Sequence, residues 1–188
     1  MNGHNVEKDM AVFHLPGHPL PALIGLCSTD SKNTPVDLFM LSLSRPVLLC
    51  AVSFPTKRVG QDTVVDLHDA TAQPCGLQLQ SIKDCMPALL ACEPNLAVYG
   101  LSTHSPACSQ RIHSALGLPF PLLADTDCSF SEQLELPRQN DNGHALLRRC
   151  TMLLREGQIT RLDYPLVHPT QAGARAEEML QRDAGKRI

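Results

Sequence analysis

The chain has 188 residues, 43% of them hydrophobic and 19% charged, with a net charge of -3. That is enough chain and enough apolar content for one domain with a core, and it argues against a disordered chain. The charge provides no basic footprint for nucleic acid or an anionic membrane, and aromatic residues at 4%, with no tryptophan, make a base-stacking surface improbable.

The N-terminus, from Met1 to Asp9, is polar and carries no apolar stretch of the secretory kind. The longest apolar run, Val47 to Phe54, is far short of the about 20 residues a membrane helix requires. A cytoplasmic location is expected. The eight cysteines (27, 50, 75, 85, 92, 108, 128 and 150) form no CxxC and no zinc-type spacing. Most are expected to be reduced thiols packed as small hydrophobes, with Cys27, Cys50, Cys85, Cys92, Cys128 and Cys150 in that class.

In chain order, residues 1–18 read as a loose arm, followed by a single domain over 19–188. Leu20 to Cys27 and Val36 to Leu41 are short apolar pieces separated by a turn-rich stretch. Pro46 to Phe54 is continuously apolar and bounded by prolines, the pattern of a strand buried on both faces. Lys57 to Asp69 reads as a polar loop. Thr71 to Ala91 predicts a helix with Leu77, Ile82, Cys85, Met86, Leu89 and Leu90 on its buried stripe, with Pro87 as a point where it could kink or end.

Asn95 to Ser102 predicts the next strand. Ser105 followed by Pro106 is a helix start, and Gly117 is its stop. Phe120 to Ala124 is a third strand, and Asp125 or Asp127 caps a short helix to about Leu134. Pro137 to Gly143 reads as a loop. Cys150 to Arg155 and Ile159 to Tyr164 form a hairpin around Glu156-Gly157. Pro169 to Arg182 closes the chain as a helix. Helices alternating with strands, then a hairpin, predict an α/β fold with a mixed central sheet flanked by helices, in the order βαβαβα-ββ-α.

Four segments carry a family resemblance. Val98-Tyr99-Gly100-Leu101-Ser102-Thr103-His104-Ser105 resembles the second core strand of peroxiredoxins. Leu118-Pro119-Phe120-Pro121-Leu122-Leu123-Ala124-Asp125 is similar to that family's F-P-L-L-S-D strand. Arg149 to Ile159 resembles its R-x-T-F-L-I-D-x-D-G-x-I hairpin. Ala70-Thr71-Ala72-Gln73-Pro74-Cys75-Gly76-Leu77 resembles the C-T-x-x-x-C-G-F/L segment of the Q-type, bacterioferritin-comigratory group. The four occur in family order across about residues 14–182. The resemblance to the AhpC/TSA peroxiredoxins implies a thioredoxin-like fold and reduction of hydrogen peroxide or organic hydroperoxides by a cysteine thiolate. Thioredoxin-like proteins or small thiols would be the reductant. It implies no cofactor and no metal, and a monomer or homodimer.

Carried over residue by residue, the resemblance puts the attacking position on Ala70, its following threonine on Thr71, the resolving thiol on Cys75 and the active-site arginine on Arg149. Alanine cannot attack a peroxide, since the thiolate is the nucleophile. Asp69 stands where the family usually has glycine, and the upstream Pro and Thr are not recognisable at Thr63 and Leu67. Three explanations stand: divergence to a form without the usual nucleophile, an introduced Cys-to-Ala change, or a shifted alignment in which Cys75 is the nucleophile. The function read from these residues is a thiol peroxidase impaired or silenced at Ala70. The alternatives are a non-catalytic module of the same fold, or thiol–disulfide exchange through Cys75. Cys108, in the first turn after Ser105-Pro106 and near His104 and His113, is a lesser redox or metal candidate. The His68-Asp69 pair could act as a general-base couple, though a solvated turn is the plainer reading.

Overall fold

The computed structural model describes residues 12–30, 34–59, 62–65, 73–141 and 144–185. Its centre is a seven-stranded mixed sheet. β1 (Gly25–Ser28) and β2 (Val36–Asp37) lead into the short helix α1 (Leu38–Ser44), where Asp37 caps the N-terminus by accepting from Met40 N–H. β3 (Val47–Ala51) is buried at every position, as its unbroken apolar run predicts. Helix α2 spans Gln73–Cys92, then come β6 (Ala97–Ser102), α3 (Pro106–Leu116), β7 (Leu122–Ala124) and α4 (Ser129–Gln133). The chain closes with β10 (Cys150–Arg155), β11 (Gln158–Asp163), a 3-10 turn at Pro169–Gln171 and α5 (Ala172–Ala184).

The sheet order is β11-β10-β3-β6-β7-β1-β2. β3 pairs parallel with β6, and β6 with β7, whereas β10 joins β3 antiparallel. Side-chain alternation along β3 divides the core in two. Leu48, Cys50 and Val52 face α2, α3 and α5, and Val47, Leu49 and Ala51 face α1 and α4.

Local signals account for much of this. Ser105 accepts from Cys108 N–H, and Gly117 ends α3 in the left-handed conformation. Glu156 and Gly157 both have positive φ, 52° and 74°, the turn that suits a tight hairpin. Asp125, fully buried, accepts from Phe130 N–H and Ser131 N–H, and Asp127 accepts from Ser129 N–H, so both candidate caps serve α4.

Several expectations are corrected. The described part of the expected loop 57–69 includes a hairpin, β4 (Thr56–Val59) with β5 (Asp62–Val65). The expected loop 137–143 includes a strand, β8 (Arg138–Asp141), paired with β9 (His144–Leu147). Both are two-stranded sheets outside the main one, so no long apolar alternation marks them. Pro87 does not end α2. The buried stripe of that helix runs through Cys75, Gln78, Leu79, Ile82 and Leu89, while Leu77 and Leu90 are exposed. Residues 12–18 are not loose: Leu15 is fully buried, and Gly17 N–H donates to the Ile159 carbonyl. Cys27 and Cys92 are exposed rather than packed. Among the described residues, no helix is long and apolar enough to cross a membrane.

Candidate thiol site

The site lies where the chain leaves β3. Val52 N–H continues the sheet by donating to the Leu101 carbonyl. Phe54 N–H donates to His104 Nε2 at 3.1 Å, which pins the next two residues. Ser53 lies between these anchors, and its carbonyl accepts the Cys75 thiol at 2.8 Å. Cys75 belongs to the α2 stripe that packs on the sheet and is 2% exposed.

Arg149 arrives from the other side. The antiparallel register of β10 with β3 sets Cys150 opposite Ala51, so the residue before Cys150 falls near the end of β3. Cys75 and Arg149, both singled out from sequence, line one cavity of about 270 Å³ together with Ser53 and Tyr164. Pro55, Leu147 and Leu166 supply apolar wall. The peptide bond between Tyr164 and Pro165, also at the cavity, is cis. Ser53 Oγ and Arg149 Nε are buried without a hydrogen-bond partner among the described residues.

Opposing effects act on the Cys75 thiol. Burial pushes its pKa above the ordinary 9.0, and the backbone hydrogen bond at Ser53, the positive charge of Arg149 and a side-chain hydrogen bond from Arg149 draw it part of the way back. The Ser53 carbonyl is an acceptor, so only the protonated thiol can make that bond. The arrangement therefore holds Cys75 as a neutral thiol at neutral pH, beside a guanidinium that would favour the anion.

The other candidates separate. Ala70, Thr71, and the pair His68-Asp69 lie outside the described residues. The thiol of Cys108 is mostly buried, and burial raises its pKa, with Arg111 opposing. His104 is committed through Nε2 to the Phe54 backbone rather than to Cys108. Among the described residues, no group of three or more His, Cys, Asp or Glu could hold a metal ion. Sequence reasoning missed Ser53, and no motif marks it; its place follows only from the pairing of β3 with its neighbours.

A mixed sheet with helices on both faces and a terminal hairpin, carrying a thiol and an arginine at the end of its central strands, is the thioredoxin-like fold in its peroxiredoxin form. The solved structures it is similar to bear this out. Peroxidoxin BcpB of Mycobacterium tuberculosis matches at TM-score 0.68 and 15% identity, covering 89% of this chain and 97% of that one. Peroxiredoxin Q of Xanthomonas campestris matches at TM-score 0.65 and 17% identity, covering 88% and 96%. The bacterioferritin comigratory protein of Xanthomonas campestris, whose structures are described with its alkyl peroxide reduction activity, matches at TM-score 0.62 and 18% identity, covering 88% and 96%. No curated protein matches by sequence. The family model described as AhpC/TSA matches residues 51–162, and the chain belongs to that family, one of thiol-peroxidase type.

Proposed function

We propose that this protein is a peroxiredoxin-type thiol peroxidase that lacks the attacking cysteine at Ala70 and whose remaining peroxide chemistry runs slowly through Cys75, beside Arg149. The observation that carries this reading is the shared cavity: among the described residues, the one thiol lining it is Cys75, with Arg148 and Arg149 in the same lining and the Arg149 guanidinium acting on the thiol. In the reaction, the Cys75 thiolate attacks one peroxide oxygen and the O–O bond breaks. The other oxygen leaves with a proton, as water or an alcohol, and Cys75 becomes a sulfenic acid. An external thiol, from a small molecule or a thioredoxin-like protein, condenses with it and expels water, and a second thiol restores Cys75.

The neutral state of Cys75 sets the rate. Only the thiolate attacks, and a thiol above 9.0 is less than about 1% ionised at pH 7. That same observation favours a second reading, a module that keeps the family shape without useful chemistry. We place the protein in the cytoplasm, where free thiols such as its eight stay reduced.

Reduced protein mixed with excess hydrogen peroxide and followed by mass spectrometry distinguishes the two. Sulfenic acid at Cys75 forming faster per thiolate than on a small-molecule thiol, and lost in Cys75→Ser, supports the peroxidase. Oxidation no faster than that of a free thiol leaves the module. A companion variant, Ala70→Cys, tests the assignment of position 70 and is expected to introduce a reactive thiol of low pKa.

A further inference from the structure

The buried stripe of α2 contains one polar side chain with a large amide. Gln78 is fully buried among Cys75, Leu79, Ile82 and Leu89. Its Nε2 donates to the Cys150 carbonyl at 3.1 Å and approaches Thr151 Oγ1 at 3.5 Å. Its Oε1 has no hydrogen-bond partner among the described residues. Burying an amide oxygen unmatched is unfavourable, and an apolar residue would fill the stripe without that penalty. Packing alone therefore does not account for glutamine at this position.

The bond falls where the sheet holds β10 least. β10 pairs with β3 from Cys150 opposite Ala51 onward, and with β11 only from Thr151 opposite Asp163 onward. Cys150 thus has a strand partner on one side, and Arg149 precedes both registers. Arg149 nevertheless acts on the Cys75 thiol, by its charge and by a side-chain hydrogen bond. Cys75 lies three residues before Gln78 on the same helix, about 4.5 Å along its axis. One turn of α2 therefore carries both the thiol and the donor that grips the residue next to Arg149.

We propose that Gln78 is a positioning residue: its bond to the Cys150 carbonyl fixes the start of β10 against α2 and so sets the Arg149 guanidinium beside Cys75. The inference rests on the reading of Cys75 and Arg149 as the reacting pair, and its geometry is testable without peroxide. Arg148 and Tyr164 line the same cavity, so the test must isolate Arg149.

The test is the pH titration of Cys75 by NMR, in the reduced full chain with isotope-labelled cysteine. The Cys75 signal is the one absent in Cys75→Ser. Gln78→Met keeps the length of the side chain and removes the amide. At a pH below the midpoint, its Cys75 thiolate fraction is expected to fall about threefold or more as the guanidinium loses its place. In an Arg149→Gln background the same substitution is expected to change the fraction little, because the group it positions is gone. A purely packing role would move Cys75 alike in both backgrounds. Circular dichroism checks that each variant is folded, and Gln78→Asn, which draws the donor back by a methylene, carries the test if Gln78→Met does not fold. A thiolate fraction unchanged or raised in a folded Gln78 variant, or an equal fall with and without Arg149, would overturn the proposal. With no peroxide present, neither result depends on whether Cys75 forms a sulfenic acid, so the positioning role and the peroxidase reading fail separately.

Discussion

The rate of Cys75 oxidation should climb with pH well past neutrality. In a thiol activated for peroxide attack, the thiolate is already the main species at pH 7 and the rate is flat from there. Here burial lifts the Cys75 pKa above 9.0, with Arg149 only partly opposing. Below the pKa, each pH unit raises the thiolate fraction about tenfold, so between pH 7 and pH 9 the rate should rise about a hundredfold. The perturbation that isolates the cause is Arg149→Gln. Removing the positive charge raises the pKa further, so the variant should react more slowly than the parent at pH 7 and lose that deficit only at more alkaline pH. The assay is the second-order rate of Cys75 sulfenic acid formation with hydrogen peroxide, trapped and quantified by mass spectrometry at steps from pH 6 to the alkaline limit of folding. A plateau reached below pH 8 would refute the reasoning, because it would mean that the thiolate is stable at neutral pH in spite of its burial and its bond to the Ser53 carbonyl.

Other consequences follow from the core. Cys50 and Cys150 are fully buried, and burial pushes both thiols up to about 12, so the folded state keeps their protons while the unfolded chain releases them above 9.0. Their contribution to stability is therefore complete below pH 9 and declines by about 1.4 kcal/mol per pH unit for each thiol between 9 and 12. Urea melts at pH 8 and pH 10 should show a decline that shrinks in the Cys50→Ala/Cys150→Ala double variant; an identical decline would discount the thiols. Asp125→Ala removes a buried carboxylate that accepts two backbone N–H groups of α4 and should cost about 2–4 kcal/mol by the same melts, with less than 1 kcal/mol counting against the capping role. Gly100→Ala in β6 would drive a methyl into Leu122 Cδ2 and should cost about 1–3 kcal/mol; a neutral effect would show that β7 yields easily.

The elements legible in the sequence are those in which one local rule decides the outcome. The apolar run at 46–54 has to be a buried strand, Ser105-Pro106 and Gly117 frame α3, and Glu156-Gly157 makes the last hairpin. The two small hairpins escape the apolar pattern because they form two-stranded sheets apart from the main one. The Asn142-Gly143 dipeptide in the sequence was the available signal for the second of them. On α2, apolar periodicity points to the wrong phase. Leu77 and Leu90 are apolar but exposed, and Gln78 is polar but wholly buried because its Nε2 donates to the Cys150 carbonyl. Periodicity counts apolar residues and cannot foresee a polar side chain that is anchored across the core through its amide N–H, here with its Oε1 left without a partner among the described residues.

The same distinction explains the site. Cys75 and Arg149 could be named from their motifs, but their contact depends on three long-range facts: α2 packing on the sheet, β10 joining β3 antiparallel, and the Phe54–His104 bond that fixes the end of β3. Ser53 has no motif at all, and it supplies both the carbonyl that holds the thiol and the hydroxyl left unpartnered in the cavity. On the proposed reading, alanine at position 70 therefore need not be the whole account of slow chemistry. A cysteine remains beside the arginine, and what restrains it is its setting: nearly complete burial and a carbonyl that accepts its proton, against one guanidinium that favours the anion. Moving that balance requires changing the surroundings of Cys75, since the sulfur is already in the cavity.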